Sequence, residues 1–170
     1  IMGYVDDARA KGARIVQINP ADEDFSQQEH RRIPPTLIIN PTDDMKVMQE
    51  EIFGPILPII AINDLDSTIR YINDNPKSLA LYWFGKDKKA MQRVLSDTRS
   101  GGVTINDSLL HAAVEDLPFG GTGASGMGAY HGKTGFETFS VRKSILETRG
   151  FFGLNFFRGT QLVRPPYGKG

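Results

Sequence analysis

Hydrophobic and polar positions along this chain fall into a few short patterns. Residues 4–11, "YVDDARAK", have helical composition, and Gly12 stands where a glycine would end that helix. "ARIVQI" (13–18) reads as a strand, and "PPTLIINP" as a second strand held by proline at both ends. "TDDMKVMQEE" fits a short helix with Thr42 or Asp43 near its cap. "PILPIIAI" (55–62) is a buried-strand pattern in which Pro58 marks an edge or a bulge. Leu65, Thr68, Ile69 and Ile72 then recur at helical spacing, with Asn73 to Pro76 as the stop. "LALYWFG" follows as a continuous apolar strand. "KDKKAMQRVLSDT" is an amphipathic helix through Met91, Val94 and Leu95, and "GGVTIN" is another strand.

Strands alternating with helices over short connections predict an α/β fold with a parallel sheet. Apolar runs that do not alternate predict strands covered on both faces. After Asn106 the regularity stops. "DSLLHAAVEDLPFGGTGASGMGAYHGKTG" is too long and too glycine-rich for a plain connection, which marks it as a functional loop. "FETFSVRKSILETR" predicts a short helix and then a strand alternating around Val141, Lys143, Ile145 and Glu147. The tail gathers aromatics with glycine and proline, and no internal repeat is visible.

Composition narrows the function classes. At 170 residues the chain suits one domain with a real core, and 39% apolar against 24% charged residues places it among soluble globular proteins. Twenty basic and twenty acidic residues cancel, so nothing points to nucleic acid or an anionic membrane as partner. The apolar runs are too short to span a bilayer. The chain has no cysteine, which excludes a disulfide framework, a thiolate metal site and a thiol nucleophile within these residues. That usage fits a reducing compartment, the cytoplasm. The opening "IMGYVDDARAKG" is no signal peptide, and an initial Ile1 reads as the middle of a longer chain.

Two glycine stretches resemble nucleotide motifs and fail on context. Gly121 to Gly126 matches G-x-G-x-x-G, but "EDLPF" precedes it where the dinucleotide fingerprint needs a strand. Gly132-Lys133-Thr134 looks like the end of a P-loop, yet the required glycine five positions earlier is Met127, and a cradle of amides depends on that register. The three histidines form no metal spacing. His30 lies in a charged loop, while His131 beside Tyr130 suits either helix capping or a pocket wall. Glu50 and Glu51, just before Phe53-Gly54-Pro55 and a strand, sit where α/β folds bind ligands. A carboxylate there can accept hydrogen bonds from vicinal hydroxyls while an aromatic packs on a ring.

Together, "EEIFGPILPI", "GGVTIND", "LPFGGTGASGMGAYHGKTGFETFS" and "VRKSIL" resemble the C-terminal part of an aldehyde dehydrogenase, in order and spacing, over nearly the whole chain. "GMGAYHG" and "GFETFS" are most similar to the class 3 branch, which includes fatty and coniferyl aldehyde dehydrogenases, and the ending "RPPYG" leans to the bacterial coniferyl type. The resemblance implies NAD or NADP as cofactor and a small-molecule aldehyde as substrate. It implies that Glu51 holds the nicotinamide ribose hydroxyls and that Phe53 packs beside the nicotinamide. Leu109, His111, Ala113, Phe119 and His131 would belong to the wall of the aldehyde pocket.

The same resemblance divides the chain into part of the catalytic domain (1–139), an oligomerisation arm strand (140–148) pairing in a homodimer, and a tail (149–170). It also accounts for the missing cysteine. In this family a cysteine thiolate attacks the aldehyde, hydride passes to the cofactor, and a glutamate assists hydrolysis of the thioester. Those groups lie upstream of the matched region, so the chain is expected to hold no catalytic residue and to be inactive alone. The alternative reading is a non-enzymatic assembly module pairing through its arm.

Overall fold

In a computed structural model describing residues 1–26 and 30–146, the opening helix is α1 (Met2–Ala10). Gly12 follows it at φ +86°, the left-handed position that ends a helix at least cost when no Cβ is present. Strands β1 (Arg14–Gln17), β2 (Thr36–Ile39) and β3 (Ile56–Ile59) form a sheet with β2 in the middle. β2 and β3 run parallel, with Thr36 opposite Ile56 and Ile38 opposite Pro58. β1 runs antiparallel to β2, so this sheet is mixed and not wholly parallel as expected. A parallel return needs a long crossover, usually a helix, and the described part of residues 18–35 holds none. Among the described residues Pro58 lies on a strand with one partner, the edge position its missing N–H requires.

The short helix α2 (Lys46–Gln49) begins after Met45, and neither Thr42 nor Asp43 caps it. Its first amide, Lys46 N, donates instead to Asp7 Oδ2 at 2.9 Å, while Lys11 Nζ lies 3.2 Å from Asp7 Oδ1. The Lys46 amide, joined by Lys11, holds the Asp7 carboxyl below its ordinary value against the opposing effect of burial. Val5 and Ala8 of α1, Met45, Val47 of α2, Ile38 and Ile56 form the core. Strand β2 alternates accordingly, with Thr36 and Ile38 buried and Leu37 and Ile39 half-buried. Expected burial on both faces fails on β3, where Ile56 is buried but Leu57 is 58% exposed. The buried cluster joins the helices to one face of this sheet only.

Helices α3 (Leu65–Asp74) and α4 (Lys88–Asp97) complete this first unit, Ile1–Lys77 with Lys86–Arg99. Asp64 caps α3 by accepting from Ser67 N at 2.7 Å, and Asp87 caps α4 by accepting from Lys89 N and Ala90 N. Asn75, held extended before Pro76, stops α3 as expected. Ile69 and Val94 are the buried residues on the apolar stripes.

The second unit comprises Ser78–Gly85 and the chain from Ser100 onward. Strands β4 (Ala80–Trp83) and β5 (Gly102–Ile105) pair in parallel, with Tyr82 opposite Thr104. The long glycine-rich loop is largely organised. It holds helix α5 (Leu110–Ala113), a bridge in which Phe119 and Tyr130 exchange both backbone bonds at 2.8 and 2.9 Å, and a 3₁₀ turn at Gly123–Ser125. Helix α6 (Gly132–Thr138) follows. The strand expected over 140–148 is absent from its described part, since residues 141–146 pair with nothing as a strand, and Val141, Ile145 and Leu146 are 95%, 80% and 85% exposed. An edge strand needs a partner edge, and none of the described residues supplies one. Glu147 and the tail 149–170 lie outside the described residues.

Candidate functional site

In the first unit the acidic pair follows α2 directly. Glu50 ends the helix with extended backbone, and its carboxylate accepts the Tyr4 hydroxyl at 3.0 Å. That hydrogen bond, then burial and the negative charge, hold the Tyr4 phenol above its ordinary value. Ile52, two residues on, packs against the buried core. The residues between and after these anchors face outward. Glu51 is exposed and makes no hydrogen bond or ion pair among the described residues, and Phe53 is 81% exposed. Alternation of anchored and free side chains is what extended chain produces. It leaves a carboxylate and an aromatic ring available two residues apart.

The second unit carries a run of rings. Tyr82 of β4 lies 6.1 Å from His111 of α5, His111 lies 6.0 Å from Phe119, and Phe119 stacks on His131 at 5.8 Å. Tyr130 closes the run, edge-on to Phe119 at 5.8 Å and to His131 at 4.5 Å. His111, Phe119 and His131, separated by up to 20 residues, are thereby brought together. Leu109 and Ala113 are not in the run. They flank it on the exposed ends of α5, with Leu109 68% exposed at φ +64°. A cleft of about 330 Å³ lies beside Phe119 and Tyr130, walled by Gly120, Met127 and Phe139, and of the five expected wall residues only Phe119 lines it.

The two histidines differ. His111 is buried, and its Nδ1 is 2.8 Å from Thr104 Oγ1. His131 precedes α6 without capping it through its side chain, so its ring is spent on stacking. His131 also sits at φ 83°, ψ 148°, a region that glycine adopts and other residues avoid. Its Nδ1 and the Nε2 of His111 are buried without a protein partner among the described residues. Sequence reasoning missed Tyr82, Thr104 and Tyr130. Tyr130 was signalled only by standing beside His131, and nothing in an apolar strand distinguishes Tyr82 or Thr104 as ring partners.

The glycine stretch 121–126 is built for close packing. A Cβ on Gly121 would lie 2.1 Å from the Ser125 carbonyl oxygen, and Thr122 and Ser125 bond each other reciprocally across the turn. Among the described residues no group of three or more His, Asp or Glu side chains could hold a metal ion, and no helix is long and apolar enough to cross a membrane.

Residues 1–145 match the model of the aldehyde dehydrogenase family. The chain is 58% identical, over its whole length, to the probable coniferyl aldehyde dehydrogenase of Caulobacter vibrioides, of which it covers 34%. It is 51% identical over 70% of its length to the mouse dimeric NADP-preferring aldehyde dehydrogenase, of which it covers 26%. Among solved structures it is similar to a mutant of aldehyde dehydrogenase C from Pseudomonas syringae, determined with NAD+ and octanal. That match has a TM-score of 0.68 at 29% identity and covers 80% of this chain and 27% of the other. The chain thus spans about a third of the length of the curated relatives it matches. Motifs, fold and extended identity agree, and the chain belongs to the aldehyde dehydrogenase family.

Proposed function

We propose that these residues serve NAD(P)-dependent oxidation of an aromatic or fatty aldehyde to its carboxylic acid, supplying a cofactor clamp and one wall of the aldehyde pocket. The observation that carries this is the pair Glu51 and Phe53, held outward by anchors at Glu50 and Ile52 within a family-matching motif. An unengaged carboxylate suits a ribose diol, since two hydroxyls can donate to one carboxylate. An exposed phenyl ring beside it suits the flat nicotinamide. The residues present therefore fit NAD or NADP, which accepts a hydride when bound. Leu109, His111, Ala113, Phe119 and His131 make the wall, with His111 as its buried footing, and the exposed Val141 and Ile145 suit an arm that pairs with a second copy of the chain. No thiolate is available from these 170 residues, so the attacking nucleophile has to come from other polypeptide.

A graft tests the reading. Residues 1–170 replace the matching third of the Caulobacter relative, and NAD(P)H formation with coniferyl aldehyde is followed. The graft turns over, and Glu51→Gln raises the cofactor KM about tenfold, the value of a hydrogen bond to a charged acceptor. A graft that turns over and ignores Glu51→Gln sinks the clamp. The isolated chain forms no NAD(P)H, and aldehyde-dependent turnover by it alone refutes the division of labour.

A further inference from the structure

Strand β5 presents two neighbouring positions on one face, Gly102 and Thr104, and β4 adds Tyr82 opposite Thr104. His111 sits on all three. Its ring edge lies so close to Gly102 that a Cβ there would be 2.5 Å from Cδ2 and 2.8 Å from Nε2. Its Nδ1 meets Thr104 Oγ1, its backbone N–H donates to the same oxygen at 3.3 Å, and Tyr82 flanks the ring. A hydroxyl that already accepts an amide N–H has its own proton to give, and Nδ1 is the acceptor within reach. When Thr104 donates that proton, the imidazole carries its own on Nε2.

We propose that His111 is a positioning residue: it fastens helix α5 to strand β5 through Thr104 and so sets where Leu109 and Ala113 stand in the pocket wall, without itself touching substrate. The proposal rests on the wall assignment made above. His111 is 8% exposed while Leu109 and Leu110 on either side of the helix start are 68% and 54% exposed, so the anchor points inward and the wall outward. Leu109 needs such an anchor. Its φ of +64° is a conformation that persists only when the surroundings overdetermine it. The other end of the segment is also tied, by Asn106 N donating to Trp83 O at 2.6 Å and Gly85 N donating to Asn106 Oδ1 at 2.8 Å.

Two readouts test it. Long-range ¹H–¹⁵N spectra of the 170-residue chain show His111 as a single Nε2–H tautomer, retained in Thr104→Ser and lost in Thr104→Val, with exposed His30 as the averaged reference. A His111 signal averaged like that of His30, or an Nδ1–H tautomer, overturns the proposal. In the active graft, Thr104→Val and His111→Leu raise the aldehyde KM about fivefold, the worth of one hydrogen bond, with kcat and cofactor KM unmoved. His111→Asn, which keeps an acceptor, restores most of it, and His111→Leu stands in for Thr104→Val if that variant does not fold. An active graft whose aldehyde KM ignores these changes, or whose kcat falls instead, overturns the positioning role alone. An inactive graft overturns the proposed function and the pocket role together, a different and recognisable result.

Discussion

Replacing Gly121 by alanine adds one methyl group in the worst place the glycine loop offers. The new Cβ would lie 2.1 Å from the Ser125 carbonyl oxygen, 2.3 Å from its carbon and 2.6 Å from Gly126 N, all backbone atoms that no rotamer change can move. Opening that gap to van der Waals contact displaces the 3₁₀ turn and breaks the reciprocal Thr122–Ser125 bonds of 2.9 and 3.0 Å. Overpacking costs about 1–3 kcal/mol and each lost bond about 1 kcal/mol, so the variant loses about 3–5 kcal/mol. A domain with a typical margin of about 5 kcal/mol would be left close to unfolded. Gly128→Ala is the control. Its Cβ meets nothing within 4 Å, so it bears only the left-handed backbone at φ +77°, about 1–2 kcal/mol. Trp83, the single tryptophan, lies on β4 of the same unit and reports urea unfolding by its fluorescence. If Gly121→Ala unfolds at the same urea concentration as Gly128→Ala, the close-packing account of this stretch is wrong. A phosphate cradle would instead lose ligand and keep its stability.

The other expectations are brief. At His131 the usual order reverses: His131→Gly is more stable than His131→Ala by about 1–2 kcal/mol, because only glycine is at ease at φ 83°, and alanine as the more stable variant would contradict the strain. Asp7, held low by the Lys46 amide, stabilises the fold above the unfolded carboxylate value of about 3.9, and this contribution is lost as pH falls through the lower folded value. Urea midpoints by circular dichroism should therefore separate the parent from Asp7→Asn at pH 6 and converge below about pH 4, and a gap that widens in acid would reverse the sign. Sedimentation should show a dimer that becomes monomeric with Val141→Glu and Ile145→Glu together, and a parent monomeric at every concentration would remove the arm as an interface.

Local chemistry made most elements legible. Asp64 and Asp87 cap their helices from the positions that residues of their type prefer, and Asn75-Pro76 stops α3. What the sequence hid is non-local. The acceptor that the first amide of α2 needs is Asp7, 39 residues earlier, so searching the helix's own approach pointed to Thr42 and Asp43. The antiparallel β1 has the same apolar pattern as a parallel strand, because side-chain period says nothing of direction. Glu51 and Phe53 were legible only through the motif they share with a family. The anchors that turn them outward, Tyr4 with Glu50 and the core beneath Ile52, come from elsewhere in the chain. Likewise His111 could be named from its loop, but its seat on Gly102, Thr104 and Tyr82 exists only once β4 and β5 lie side by side.

The path of the chain has a practical consequence. Residues 78–85 belong to the second unit although α3 before them and α4 after them belong to the first. Neither unit is a continuous stretch, so no single proteolytic cut can release one intact. A nick after Lys77 leaves the first unit without α4, and a nick after Arg99 leaves β5 without β4. Swapping either unit into a relative needs three junctions, after Lys77, Gly85 and Arg99, and a one-crossover hybrid always mixes two parents within at least one unit.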